Sequence, residues 1–234
     1  MRIEMASLKE LKERVYDANM ELPSRNLVIY TFGNVSGIDR ERGIIVIKPS
    51  GISYEELKPE SMVLVDLHNN VLEGGTPSSD TKTHTVLYRH FPAIGGIVHT
   101  HSTCATAWAQ AQLPIPCLGT THADYIPGEI PCTGVMTDVQ IQGDYEEETG
   151  NCILACFREL SYEEVEMVLV ACHGPFTWGK TPEKAVYNSV VLEELAKTAL
   201  YTVLLNPSVQ HIKKTLLDRH FYRKHGDNAY YGQR

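Results

Sequence analysis

The chain has 234 residues, with 21 basic and 29 acidic side chains and a formal net charge of -8 when histidine is neutral. At 43% hydrophobic and 21% charged residues it can bury a large core, which excludes disorder, collagen and coiled coil. The acidity, with no Lys/Arg run interleaved with aromatics, excludes nucleic acid as an expected partner. Apolar runs such as 62–65 and 167–172 fall far short of the roughly 20 residues that a bilayer span needs, so no membrane partner is expected. Residues 1–10 mix charges and lack the apolar stretch of a secretory signal, which makes a cytoplasmic location the expectation. Cys104, Cys117, Cys132, Cys152, Cys156 and Cys172 form no C-x-x-C pair and are expected to be reduced, buried thiols.

Ser7-Leu8-Lys9-Glu10 reads as a capping box opening an amphipathic helix, with Leu8, Leu11, Val15, Ala18 and Leu22 at steps of three and four. Strand-like runs follow at 27–32, 43–48 and 62–67, separated by turns at Gly33-Asn34, Pro49-Ser50-Gly51 and His68-Asn69-Asn70. Pro77-Ser78-Ser79-Asp80 has the composition of a helix start, and the helix is expected over 81–90, ending before Pro92. A strand at 94–100, a helix at 102–112, a Pro/Gly-punctuated stretch at 114–132, a helix at 146–160 and an apolar strand at 167–172 come next. Thr181-Pro182-Glu183 places a cap and an N1 proline before a long helix reaching 205, and a last helix is expected over 208–224. There is no G-x-G-x-x-G and no βαβ rhythm, so a dinucleotide-binding fold is disfavoured. The expectation is one three-layer α/β domain over residues 1–234, without linker or repeat.

His99-Thr100-His101 ends the apolar strand, and side chains two apart on a strand point the same way. Two neutral imidazoles on one face can share a divalent ion such as zinc, or can be a hydrogen-bonded structural pair. His173 ends a second apolar strand and Asp80 opens a helix, so three nitrogens and one oxygen are available. Asp80 can equally serve only the helix macrodipole. Neither the acidic residue of a cupin nor the H-x-Asp of a facial-triad oxygenase follows His101, which leaves Lewis-acid chemistry as the better reading of a metal here. Gly33-Asn34, Lys48-Pro49-Ser50-Gly51 and Ser78-Ser79 are small-residue turns whose amides and hydroxyls suit an anion, and Lys48 is a lysine in an apolar strand. Together they point to a small phosphorylated substrate. Asp124 and the pair Tyr230-Tyr231 are acid/base candidates, the alternative for the tyrosines being hydrophobic docking of the tail. His122, His220, Arg223 and His225 are candidates to surround them.

Gly33-Asn-Val-Ser36, Ile47-Lys-Pro-Ser-Gly51, Pro77-Ser-Ser-Asp80, Gly95-Gly-Ile-Val-His-Thr-His101, Gly119-Thr-Thr-His-Ala-Asp124, His173-Gly-Pro-Phe176, Arg223-Lys-His-Gly226 and Tyr230-Tyr-Gly-Gln233 occur in order along nearly the whole chain. In these segments the sequence resembles the class II aldolase/epimerase superfamily, and within it the sugar-phosphate 4-epimerase branch. The resemblance implies a central, mainly antiparallel sheet flanked by helices. It implies Zn2+ or another divalent cation such as Mn2+ or Co2+ held by His99, His101 and His173, with Asp80 near or on the metal. Substrate contacts are implied for Gly33, Asn34, Lys48, Ser50, Gly51, Ser78 and Ser79, and catalytic roles for Asp124 and Tyr231, one on each face. The implied reaction interconverts L-ribulose 5-phosphate and D-xylulose 5-phosphate by breaking and re-forming the C3–C4 bond, in a homotetramer with active sites at subunit interfaces. Aldolases of the same superfamily typically carry Glu where this chain has Asp80, a departure that, with the Asp124/Tyr231 pair, favours the epimerase over its nearest rival, a sugar-phosphate aldolase. A zinc hydrolase using Asp124 as base and a non-enzymatic binding domain are the others.

Overall fold

A computed structural model describes residues 2–225 and 229–230. The elements in chain order are α1 (Arg2–Ser24), β1 (Asn34–Asp39), β2 (Ile44–Ile47), β3 (Val63–Asp66), β4 (Val71–Glu73), α2 (Thr81–His90), β5 (Gly96–His99), α3 (Thr103–Ala111), α4 (Thr120–Ala123), α5 (Asp138–Gln142), α6 (Tyr145–Cys156), β6 (Met167–Val170), β7 (Gly174–Gly179), α7 (Pro182–Leu205) and α8 (Lys214–His225). The strands form one seven-stranded sheet in the order β4-β3-β2-β1-β5-β7-β6, antiparallel at every pairing.

Strand alternation divides the core between two faces of this sheet. Val35, Val46, Leu64 and Val98 point to the side covered by α1 and the start of α7, where they meet Val15, Ala18, Leu22, Ala185 and Val186. Ile38, Ile45, Ile47, Val63, Val65 and Ile97 point to the other side, packed with Leu87 and Tyr88 of α2 and Ile153 of α6. The result is three layers. The start of α7 approaches the sheet so closely that a Cβ on Gly96 would lie 2.4 Å from Pro182 Cα, and one on Gly37 would lie 2.8 Å from Pro182 Cγ and from Val15 Cγ2. These two glycines let the helix layer seat directly over β1 and β5, the strands that lead to the histidines.

Several boundaries differ from the sequence reading, each for a physical reason. Residues 27–32 are not a strand: Asn26 and Tyr30 adopt left-handed backbone (φ 57 and 52), and Ile29, Tyr30 and Phe32 are exposed. The strand starts one residue past Gly33 (φ 73), where the pattern read as a turn. β7 was hidden because Gly174, Pro175 and Gly179 read as turn residues. Gly174 is needed there because an added Cβ would lie 2.9 Å from the Thr100 carbonyl. β4 is a short element without a distinct pattern, and α5 opens on a Thr137/Gln140 capping box that the sequence reading passes over. α1 starts before Ser7, so the Ser7/Glu10 box lies inside the helix. The last helix begins at Lys214 because the segment before it is tied down by the Ile212 amide donating to the Cys117 carbonyl (3.1 Å). All six cysteines are free as expected, but only Cys117 is fully buried and Cys172 is exposed, because Cys172 occupies a hairpin turn with φ 63. Among the described residues no helix is long and apolar enough to cross a membrane.

One buried side chain locks α1 to the sheet. Asn19 donates to the carbonyls of Val15 (2.8 Å) and Val35 (3.1 Å) and accepts from the Val35 amide (2.9 Å). Val35 adjoins Asn34, the first residue of β1. Replacing Asn19 with Ala strands polar groups in a dry interior, and the unfolding free energy in urea is expected to fall by about 3 kcal/mol.

Candidate active site

β1, β5 and β7 end side by side, and their termini carry the chemistry. Asn34 and His99 are register partners, as are His99 and Phe176. His99 therefore sits centrally, its ring stacked on Phe176 at 4.2 Å between centroids and 18° between planes. His101 follows in the turn before α3. The first turn of that helix is anchored by the Glu193 carboxylate of α7, which accepts from the amides of Cys104 (2.8 Å) and Ala105 (2.9 Å). Two amides that would otherwise lack partners are satisfied at the positive end of the helix. His173 closes the β6–β7 turn, where its amide donates to Val170 O (3.0 Å) and the Cys172 amide donates to Ala109 O (2.9 Å). α3 thus braces the turn before His173 as well as carrying the segment after His101.

The three imidazoles offer ligand atoms within 4.8 Å of one another. His99 Nδ1 is 3.0 Å from the Pro175 carbonyl, which can only accept. That bond puts the proton on Nδ1 and leaves a lone pair on Nε2, 3.0 Å from His101 Nε2. His173 Nδ1 is buried without a hydrogen-bond partner among the described residues. Burial, reinforced by the neighbouring His99, lowers His101 and pushes His173 down to about 4, so both are neutral at physiological pH, the form that binds a metal. Converging neutral imidazoles with an orphaned nitrogen fit a divalent cation.

Asp80 lies on the same cleft but outside that set of three. Its Oδ2 accepts from Asn34 Nδ2 (2.7 Å) and more distantly from Ser78 Oγ (3.4 Å), and its side chain makes no cap bond to α2. Burial acts to raise this carboxyl, but the His99 and His84 imidazoles and the Asn34 hydrogen bond outweigh it and hold it below the ordinary carboxylate range. Gly33, Asn34, Lys48, Ser50, Gly51, Ser78 and Ser79 line the same cleft of about 330 Å3 as Asp80 and the three histidines. Two of its loops are laced together, the Ser50 amide donating to Thr76 O (2.9 Å) and the Ser78 amide to Lys48 O (3.0 Å). Lys48 is 2% exposed, donates to Thr31 O (3.1 Å) and lies over the Tyr54 ring, with no carboxylate bonded to it among the described residues. Burial lowers its pKa, as expected of an ammonium that lacks an anion.

Sequence reasoning missed four neighbours of this cleft. Phe32 tilts over His101 (6.3 Å), Tyr145 faces His173 (6.1 Å), Thr31 supplies the carbonyl for Lys48, and the fully buried His84 stands edge-on to Phe176 (6.0 Å). Thr31 and Phe32 lie in the run read as a strand, and Tyr145 and His84 have no local signal. Asp124 does not line the cleft. Its carboxylate is clamped by Arg223 (3.0 and 2.8 Å) and His220 (3.0 Å), while His225 Nε2 reaches its backbone carbonyl (2.9 Å). His122 is buried nearby in sequence but makes no bond to that carboxylate. Tyr231 lies outside the described residues, and Tyr230 is exposed.

The buried histidines make acid sensitivity predictable. Desolvation depresses His84 to about 3 and His122 and His173 to about 4, against 6.5 for a free imidazole. Between those values the unfolded chain binds more protons than the folded one, so stability is complete above pH 6.5 and declines as pH falls through that window. Calorimetry on chelator-treated protein should show the midpoint dropping between pH 6.5 and 4, with a loss on the order of a few kcal/mol.

The chain matches the family model described as Class II Aldolase and Adducin N-terminal domain over residues 13–200. It is 53% identical over 228 residues to the L-ribulose-5-phosphate 4-epimerase UlaF of Salmonella paratyphi C (strain RKS4594), covering 97% of this chain and 100% of that protein. The same figures hold for the protein of that name from Salmonella choleraesuis (strain SC-B67). Among solved structures, an L-fuculose 1-phosphate aldolase superposes with a TM-score of 0.75 at 23% identity over 90% of this chain and 94% of its own, a likeness of fold. With the family model spanning residues 13–200 and a relative 53% identical over 97% of the chain, the chain belongs to the class II aldolase family.

Proposed function

We propose that the chain is an L-ribulose-5-phosphate 4-epimerase, interconverting that ketopentose phosphate with D-xylulose 5-phosphate. The observation that carries the reading is the gathering, in one cleft, of three converging histidines and a buried Lys48, with no carboxylate bonded to it among the described residues, beside small-residue turns. Its whole-length likeness to proteins named for that activity supports it.

His99, His101 and His173, with Asp80 beside them, would hold a divalent cation, zinc in this reading. When bound, the cation supplies Lewis-acid stabilisation of the charge that C3–C4 cleavage leaves on the three-carbon fragment. Lys48 and the turns at Gly33-Asn34, Ser50-Gly51 and Ser78-Ser79 bind the phosphate and anchor the two-carbon aldehyde end. With its phosphate held, that fragment turns about its C–C bond and presents its other face, and re-forming the C3–C4 bond inverts C4. One group must take the C4 hydroxyl proton on cleavage, and another must return a proton to the same oxygen from the opposite side. Asp124 and Tyr231 are assigned to these faces. Because Asp124 lies outside its own chain's cleft, the reading places it at the cleft of a neighbouring copy, in a cytoplasmic homotetramer whose single-domain subunits complete one another's sites.

A sugar-phosphate aldolase is the alternative that the fold neighbours favour, and one assay divides the two. Zinc-loaded protein given L-ribulose 5-phosphate is expected to form D-xylulose 5-phosphate with no net release of glycolaldehyde phosphate. Accumulation of the aldehyde instead would make it an aldolase. Two further outcomes are expected. Lys48→Met should raise KM, with a loss in kcat/KM of about 10²-fold from the missing charge-assisted bond, whereas Tyr231→Phe should lower kcat by about 10²-fold with zinc content unchanged. Separately inactive His99→Asn and Asp124→Asn chains, when co-expressed, should regain measurable turnover, since a mixed assembly contains clefts with an intact His99 and a neighbour's intact Asp124.

A further inference from the structure

Behind the cleft runs a buried polar chain to which the reaction above gives no task. Ser36, on the inner face of β1, has its Oγ 2.7 Å from His84 Nδ1 and 2.9 Å from the Tyr88 hydroxyl. All three residues are completely buried. Such a chain is unfavourable in a core unless every member is paired, and here the last is not, since His84 Nε2 has no partner among the described residues.

The order of protons follows from the donors. The other polar neighbour of the Tyr88 oxygen is the Ile97 amide, itself a donor, so the phenol donates to Ser36. Ser36 then has one proton left, which goes to His84 Nδ1, and the imidazole proton resides on Nε2. His84 is one helical turn from Asp80, its amide donating to the Asp80 carbonyl (3.1 Å), and its ring meets the Phe176 ring on which His99 stacks. Asp80 Oδ2 is taken by Asn34 and Ser78, while Oδ1 accepts no hydrogen bond among the described residues. An unpaired donor and an unpaired acceptor thus occur one turn apart.

We propose that His84 is a positioning residue for Asp80. Its Nε2–H supplies the hydrogen bond, direct or through one water, that holds Oδ1 and orients the carboxylate beside the histidine cluster. Tyr88 and Ser36 set the tautomer that makes this bond possible. The role rests on the reading of His99, His101, His173 and Asp80 as a metal centre.

The test is zinc titration of chelator-stripped protein against a competing chromophoric chelator. His84→Phe is expected to bind zinc about 10- to 100-fold more weakly than the parent, the usual cost of losing a hydrogen bond to a metal-site group. The zinc-free variant trades an unpaired buried donor for a Ser36 hydroxyl without its acceptor, so its thermal midpoint should stay within about 4 °C of the parent's. His84→Gln, which keeps an N–H donor, should recover part of the affinity. Zinc affinity within about two-fold of the parent in His84→Phe overturns the role. Should that variant not fold, long-range proton–nitrogen NMR of the parent decides, an Nε2–H tautomer being expected and an Nδ1–H tautomer overturning the proposal. A parent that binds no zinc removes the metal centre itself, an outcome distinct from an unaffected His84 variant.

Discussion

The site depends on gathering three imidazoles whose rings stand about 5 Å apart. Burial, reinforced by the neighbouring His99, favours the neutral form of His101 and His173. Neutrality alone does not aim a lone pair. The Pro175 carbonyl aims that of His99, and it can do so because β7 lies next to β5 in the sheet. Proline loses nothing there as an acceptor: its missing N–H is not needed, and its carbonyl does the orienting. The close seating of α7 on Gly96 and Gly37 braces the far ends of β5 and β1, Asn19 fastens α1 to Val35 beside Asn34, and Glu193 ties α7 to the first turn of α3. A site made of strand ends is as rigid as the sheet beneath it.

The helices with punctuation were legible in the sequence. α2 runs over the expected 81–90, starting after Asp80, whose side chain nevertheless makes no cap bond, and ending before Pro92, and α7 begins at its N1 proline. Strands were legible where β-branched residues alternate or run, as in β2, β3 and β6, and illegible where packing demanded small residues. β1 contains Ser36 and Gly37, and β7 is bounded by Gly174 and Gly179, so neither looks like a strand until the helix that crowds it is known. The opposite error at 27–32 has the same origin, an apolar run that serves the cleft mouth and the surface rather than the core.

At the site, the residues legible in the sequence were those carrying local signatures: an H-x-H at a strand end, a histidine after a second strand, and turns rich in Gly, Ser and Asn. They share one cleft because antiparallel neighbours β1, β5 and β7 end together. Glu193, His84, Tyr145 and Phe32 contribute only through tertiary contacts, and nothing in their own surroundings in sequence distinguishes them. The overall charge of -8 also says little about the cleft, where Lys48 is desolvated against the Thr31 carbonyl and, among the described residues, has no carboxylate bonded to it. Local donors in low dielectric act at a few ångströms, whereas the distributed acidity acts across screened solvent.

The clamp around Asp124 bears on the proposed proton transfers. Burial alone acts to raise its carboxyl, but hydrogen bonds from Arg223 and His220 and the charge of Lys224 outweigh that and keep it ionised across the neutral range. In the proposed reaction it therefore begins able only to accept a proton, whereas a phenol, ordinarily protonated at neutral pH, begins able to donate. An epimerisation that breaks and re-forms one bond needs this asymmetry, one face removing a proton and the other returning it, and it needs the roles to exchange when the reaction runs backward. Two groups tuned to the same pKa would share protonation states and leave a fraction of clefts doubly protonated or doubly bare. In the proposed pairing an anchored carboxylate opposite a phenol avoids both, and the clamp of Arg223, His220 and Lys224 limits the cost of keeping that carboxylate charged.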